Sequence, residues 1–297
     1  MKRAISQDFL ESLQKGELSP ILEVVIKDRT LDLEMRGNEI DIYYQGLKLL
    51  SISEKGNGIY EYGEMDKKYR RRKDGSEVSL PFFSLNDIDE YMSKAKHVID
   101  TYDINEHFEY EVKQMIVREN NLKPNSNDTD FFIIDTEYQN EEKNQFDIIA
   151  LHIDSESVAR RKAKASIAVI EIKQGNGSIK TTSLNPGIRR HLEDFNQHIA
   201  DKQRKNAFKK DMEEIFKQKY ELGLIDKGLS ENTIKKLEIE DDIEFFIVLA
   251  DYKTATSALK EELKTIEGEC KFFMSSFMGY GLYNWTIKSK EEILKLL

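Results

Sequence analysis

AVIEIKQG, residues 168–175, and FDIIAL, residues 146–151, are short apolar runs, and each carries charge where a buried strand should carry none. Strand side chains alternate faces, so Val169, Glu171 and Lys173 share one face. Ile170 and Ile172 point the other way, into apolar packing. Asp147 stands near the start of the earlier run. In an antiparallel pair the start of one strand lies beside the end of the next, which brings Asp147, Glu171 and Lys173 to one sheet edge. Charges in such a place pair with each other or bind a metal. A plain Glu171–Lys173 ion pair is the simpler alternative, and Asp147 weighs against it.

The residue types suit one chemistry. Mg²⁺ or Mn²⁺ takes oxygen ligands and keeps several waters. The carboxylates of Asp147 and Glu171, with the main-chain carbonyl of Ile172, would hold one such ion. A divalent ion polarises a phosphate and lowers the pKa of a bound water. Lys173 would orient or deprotonate that water, or stabilise charge building on the phosphorane. Phosphodiester hydrolysis is the expected reaction, so nucleic acid is the expected partner.

Around these runs the sequence predicts FFIIDTEY (131–138), FDIIALHI (146–153) and SIAVIEIKQG (166–175) as successive strands. Their dense apolar content suits a sheet covered on both faces. A helix is predicted at 105–121, with Phe108, Val112, Met115 and Ile116 as its stripe. Asn185-Pro186-Gly187 makes a turn into one long basic helix over 188–221. EFFIVLA (244–250) reads as a further strand, 255–266 as helix, and 271–283 as a last strand interrupted by glycine. The first hundred residues differ. Leu31, Leu33 and Met35, then Ile40, Ile42 and Tyr44, then 48–52 alternate as an antiparallel meander, with Gly37-Asn38 and 56–58 as turns. Residues 1–17 read as a short amphipathic helix, and Ser84 or Asn86 caps another that follows.

The Asp147, Glu171 and Lys173 pattern, in a helix, three strands, helix and strand order, resembles the PD-(D/E)xK nuclease superfamily. That resemblance covers residues 105–250. It implies an α+β (α/β) fold with a restriction-endonuclease-like core, a mixed central sheet flanked by helices. An N-terminal antiparallel β-rich accessory domain (1–100) would precede the nuclease domain (101–297). It implies Asp147, Glu171 and Lys173 as catalytic residues, the first two on the metal, and DNA as the substrate, in a defence or repair system. Phe146 stands where the family's proline precedes the Asp. The family often adds a glutamate from its first core helix, for which Glu109 and Glu111 are equal candidates. A catalytically inactive, nuclease-like binding or regulatory subunit is the alternative.

Other residues are less decided. Glu137 follows Asp135 on one face and is either a further metal ligand or a strand-end carboxylate in solvent. Gln174 reads as a sheet-edge amide sooner than a phosphate contact. Arg189 and Arg190 open the helix after the motif and could contact a nucleic-acid backbone. His191 and His198 are poorly spaced as a metal pair and read as surface or phosphate-facing residues. Residues 157–220 hold fifteen Lys+Arg against seven Asp+Glu, inside a chain of net charge −10. That segment either steers a polyanion or is a solvated helix face. KKYRRRK (67–73) could contact phosphates or form a charged hairpin tip. The tail CKFFMSSFMGYGLYNW (270–285) is expected to pack the core and a subunit contact, hence a homodimer. The single Cys270 excludes an internal disulfide and a cysteine-built zinc site. No apolar run reaches the roughly 20 residues of a membrane helix, and a cytoplasmic location is expected.

Overall fold

The computed structural model is a mixed α+β structure with two sheets. It describes residues 2–56, 58–72, 75–81, 83–101, 108–123, 125–140, 145–183, 185–226, 228–250, 257–274 and 279–297. The expected helix starts at 105–107 and 255–256, Asn57, Lys73, Asp74, Pro124 and 275–278 of the aromatic tail lie outside the described residues. The chain divides into two compact units.

The first unit is Met1–Gln114 with Glu214–Ile225. Helix α1 (Gln7–Lys15) starts where the Ser6 side chain accepts from Phe9 N, and it buries Phe9, Leu10 and Leu13. Helix α2 (Ser19–Lys27) begins with Pro at its first turn and buries Ile21, Leu22 and Val25. The expected meander then forms as β1 (Leu31–Met35), β2 (Glu39–Tyr44) and β3 (Leu47–Glu54), extended by β4 (Tyr60–Glu64). Leu33↔Ile42 and Met35↔Ile40 pair on the apolar face, while Asp32↔Tyr43 and Glu34↔Asp41 pair on the other. Ser84 caps a single 3-10 turn that leads into α3 (Ile88–Asp100).

The second unit is Met115–Glu213 with Asp226–Leu297. Helices α4 (Phe108–Asn121) and α7 (Lys202–Glu221) contribute residues to both units. The second sheet runs β10-β9-β8-β7-β6-β5. Its strands are β5 (Phe131–Gln139), β6 (Gln145–His152), β7 (Lys164–Gln174), β8 (Glu238–Ala250), β9 (Lys271–Met274) and β10 (Lys288–Ser289). β5, β6 and β7 are antiparallel, β8 and β9 run parallel to β7, and β10 returns antiparallel. β7 is therefore a central strand, and Ile167 to Ile170 along it are fully buried, as a strand covered on both faces requires. A short helix, α5 (Ser157–Arg161), lies in the β6–β7 connection. Helix α6 (Gly187–Ala200) packs on β7, β8 and α9 (Ser257–Thr265), and a short α8 (Glu231–Lys235) precedes β8.

Three expectations need correction. The single helix over 188–221 is two, because Asp201 leaves helical geometry at φ −81 and ψ 118. Its carboxylate then accepts from Arg204 N at 2.7 Å, which caps α7. The strand expected at 271–283 is formed only at Lys271–Met274 among the described residues. After it come β10 and a terminal helix, α10 (Lys290–Leu296), started by a Ser289–Glu292 capping box. The basic segment 157–220 is not all solvated or polyanion-facing, since Arg160 is buried and donates to Asn127 O at 2.7 Å and Thr129 O at 3.2 Å. Among the described residues no helix is long and apolar enough to cross a membrane.

Candidate active site

The β6–β7 ladder ends at Ile148↔Ile170, which leaves Asp147 across from Glu171. Beyond that point the main chains stop pairing, and the two carboxylates take over. Asp147 Oδ2 accepts from Ile172 N at 2.8 Å, and Glu171 Oε1 accepts from Asp147 N at 3.3 Å. Each acid thus satisfies a backbone donor of the opposite strand, which fixes both carboxylates at one place. The ladder to β8 continues through Lys173↔Leu249 and Gln174↔Ala250, so the β7 backbone stays anchored on that side.

Glu171 is 1 % exposed and Lys173 5 %. Lys173 Nζ lies 3.4 Å from Glu171 Oε2. His191 Nδ1 lies 3.1 Å from the same oxygen. An ionised carboxylate only accepts hydrogen bonds, so Nδ1 carries the proton when Glu171 is charged. Burial pushes the Glu171 carboxyl up, and the charge of Asp147 pushes it further; His191 and Lys173 pull against both. The structure therefore brings together Asp147, Glu171 and Lys173, and adds His191.

His191 is the correction to the expected surface histidines. Helix α6 buries Ile188, Leu192, Phe195 and His198. His191 lies three residues after Ile188 and four before Phe195, so helical periodicity places it beside that stripe, and the sequence already held this signal. His198 is 1 % exposed, stands among Tyr138, Phe146 and Phe208, and meets Asn140 through Nδ1 at 3.2 Å. It belongs to the packing of the core.

The start of α6 is held firmly. Gly187 has φ +58, and a Cβ there would collide with the backbone of Lys180 and Thr181. The buried Glu262 carboxylate accepts from Arg189 N and Thr181 N, each at 3.0 Å, and from Thr181 Oγ1 at 2.5 Å. A carboxylate on α9 thereby caps α6 and sets where His191 stands.

The remaining candidates are placed as follows. Glu137 has φ +52 near the end of β5, a left-handed conformation that costs a side-chain-bearing residue of order 1–3 kcal/mol. Thr136↔Ile148 and Tyr138↔Phe146 bracket it, so it stands across from Asp147 in register, but strand alternation does not carry through it. Glu109 and Glu111 fall in the first unit, where Glu109 Oε1 lies 3.8 Å from Lys113 Nζ. Arg190 Nε lies 3.2 Å from Asp194, an acid of its own helix, and Arg189 is exposed. Gln174 is half-buried at the end of a central strand, not at a sheet edge.

Among the described residues no group of three or more His, Cys, Asp and Glu side chains is gathered to hold a metal ion. The Asp147–Glu171 pair supplies two carboxylates, the ligand type that Mg²⁺ or Mn²⁺ takes. A cation between the two carboxylates would offset the Asp147 repulsion that helps push Glu171 up. Comparison with known protein families, with curated proteins and with solved structures returns no match.

Proposed function

We propose that this chain is a divalent-metal-dependent nuclease with a restriction-endonuclease-like core, acting on DNA. The observation that carries the proposal is the reciprocal Asp147–Glu171 arrangement, with the buried cation of Lys173 3.4 Å from Glu171. Asp147 and Glu171 would hold Mg²⁺ or Mn²⁺, which polarises the phosphate and lowers the pKa of a bound water. Lys173 supplies positive charge where the phosphorane becomes more negative. One bond from water oxygen to phosphorus forms and one ester P–O bond breaks. The proton lost by the water balances the one gained by the leaving oxygen. His191 holds the Glu171 carboxylate in orientation from the side.

The direct test is cleavage of single- and double-stranded DNA and RNA with Mg²⁺, with Mn²⁺ and with chelator. Cleavage of DNA is expected with either ion and none with chelator. Full activity in chelator overturns the metal-dependent mechanism. A second reading, an inactive binding or regulatory subunit, is favoured by one fact: Lys173 and His191 already occupy Glu171 Oε2. No cleavage of any substrate with either ion would support it.

His191→Ala is expected to raise the metal concentration needed for half-maximal cleavage about 10–100-fold, the usual cost of removing a partner that orients a metal ligand. His191→Gln, which keeps a donor, should recover part of that loss. An unchanged metal requirement in His191→Ala would reduce His191 to a packing residue.

A further inference from the structure

Of the two readings of residues 157–220, a polyanion-steering face and a solvated helix face, the first loses support once charges are located in space. Lys164 pairs with Glu240 at 3.4 Å, Lys180 with Glu261 at 3.0 Å, Lys209 with Asp241 at 2.5 Å and Arg190 with Asp194 at 3.2 Å. The shorter basic run in the first unit is different. Lys67–Arg70 forms a 3-10 turn capped by Asp66, and 70–72 then pair antiparallel with 76–78. Arg71 bridges Glu77, Arg72 N donates to Ser76 O at 2.8 Å, and Val78 N donates to Arg70 O at 2.8 Å.

Lys67, Lys68, Arg71 and Arg72 are all exposed. Arg70 is tied to Glu77 at 3.5 Å and Lys68 to Asp66 at 3.7 Å. Among the described residues no acidic side chain forms an ion pair with Lys67, Arg71 or Arg72. Lys67, Arg71 and Arg72 thus stand close together with no ion pair of their own among the described residues, in a chain of net charge −10.

We propose that this hairpin is a phosphate-contacting arm for double-helical DNA. Consecutive residues of an extended strand point to opposite faces, so Arg71 and Arg72 put a guanidinium on each side of the ribbon. A two-stranded ribbon fits the major groove, about 12 Å wide, which has phosphates along both walls. Guanidinium binds phosphate in two-pronged fashion. Among the described residues no large apolar side chain is exposed between Lys67 and Val78, so the hairpin lacks the anchor a membrane surface would need. Only the choice of DNA among polyanions rests on the nuclease proposal.

The test is anisotropy of a labelled DNA duplex against the full chain carrying Lys173→Met, in chelator, over a salt series. The double variant Arg71→Glu/Arg72→Glu is compared with Lys27→Glu/Lys236→Glu, which makes the same charge change at exposed lysines elsewhere. The hairpin variant should bind about ten-fold more weakly and lose about 2 from the slope of log affinity against log salt, near 0.9 per phosphate contact. The control should keep its slope. Arg71→Gln/Arg72→Gln, with melting followed alongside, shows that the loss is one of contacts and not of folding. An unchanged slope, no duplex binding by the parent chain, tighter binding of single strands, or loss only of binding to phosphatidylserine vesicles would each overturn the proposal. Duplex binding through the hairpin without any cleavage would sink the nuclease and leave the arm standing.

Discussion

Lys173→Met is expected to slow DNA cleavage with Mg²⁺ about 10²–10³-fold, the loss that follows removal of one preorganised group facing transition-state charge. Methionine keeps the buried stem, which is 5 % exposed, and deletes only the ammonium. The β7 backbone stays paired to β8 at Lys173↔Leu249, so strand and register should survive. His191 still faces Glu171 at 3.1 Å, so the carboxylate is not left without a partner. Without the lysine the Glu171 carboxyl should move further up, because one of the charges that lowers it is gone. Metal-dependent cleavage is then measured beside thermal melting. A slow variant that melts like the parent fits a catalytic lysine. A variant that cleaves at the parental rate removes Lys173 from the chemistry. A parent without activity, whose variant also melts much lower, identifies a structural ion pair.

The charged strand positions were legible because period-two alternation and antiparallel pairing act over a few residues. Asp147, Glu171 and Lys173 needed only the β6–β7 hairpin to meet, and that hairpin is local in the chain. His191 arrives from a helix that crosses back over β7 and β8, and its distance from Glu171 depends on Gly187 and on Glu262 of α9. Nothing local in the sequence states that coupling. Only the apolar stripe of α6 hinted that His191 faces inward. Glu137 stood between two readings, and its φ of +52 breaks the alternation from which its direction was read. The meander in the first unit was plain from its turns, whereas α10 was missed although SKEE, residues 289–292, is a capping-box pattern. Charge along the chain was the poorest guide. A run of lysines reads as a basic face, but β8 and α9 supply the acids that pair with it.

Lys219 is the sharpest case of that failure and carries the second large expected effect. It belongs to the basic run, yet it is 1 % exposed, and its Nζ sits 2.7 Å from Glu34, which is fully buried on β1. Arg36 reaches the other oxygen of Glu34 only at 3.6 Å and also serves Asp41 at 3.8 Å. Lys219→Met should destabilise the first unit by about 3–5 kcal/mol, because it strands a buried carboxylate. The loss should depend on pH through Asp32, whose carboxyl burial and the charge of Glu34 push up to about 7 from 3.8. The folded state holds that proton across the interval and the unfolded state does not, so stability falls as pH rises through it. Lys219 lowers the Asp32 value, so its removal extends the interval upward, and the loss should be greater above about 7 than near 4. Urea unfolding of the parent, Lys219→Met and Glu34→Leu/Lys219→Met measures this. The double variant removes both charges and should recover most of the loss, since a packed apolar pair often matches a buried ion pair. A single variant that loses less than about 1 kcal/mol would show that Arg36 alone can neutralise Glu34.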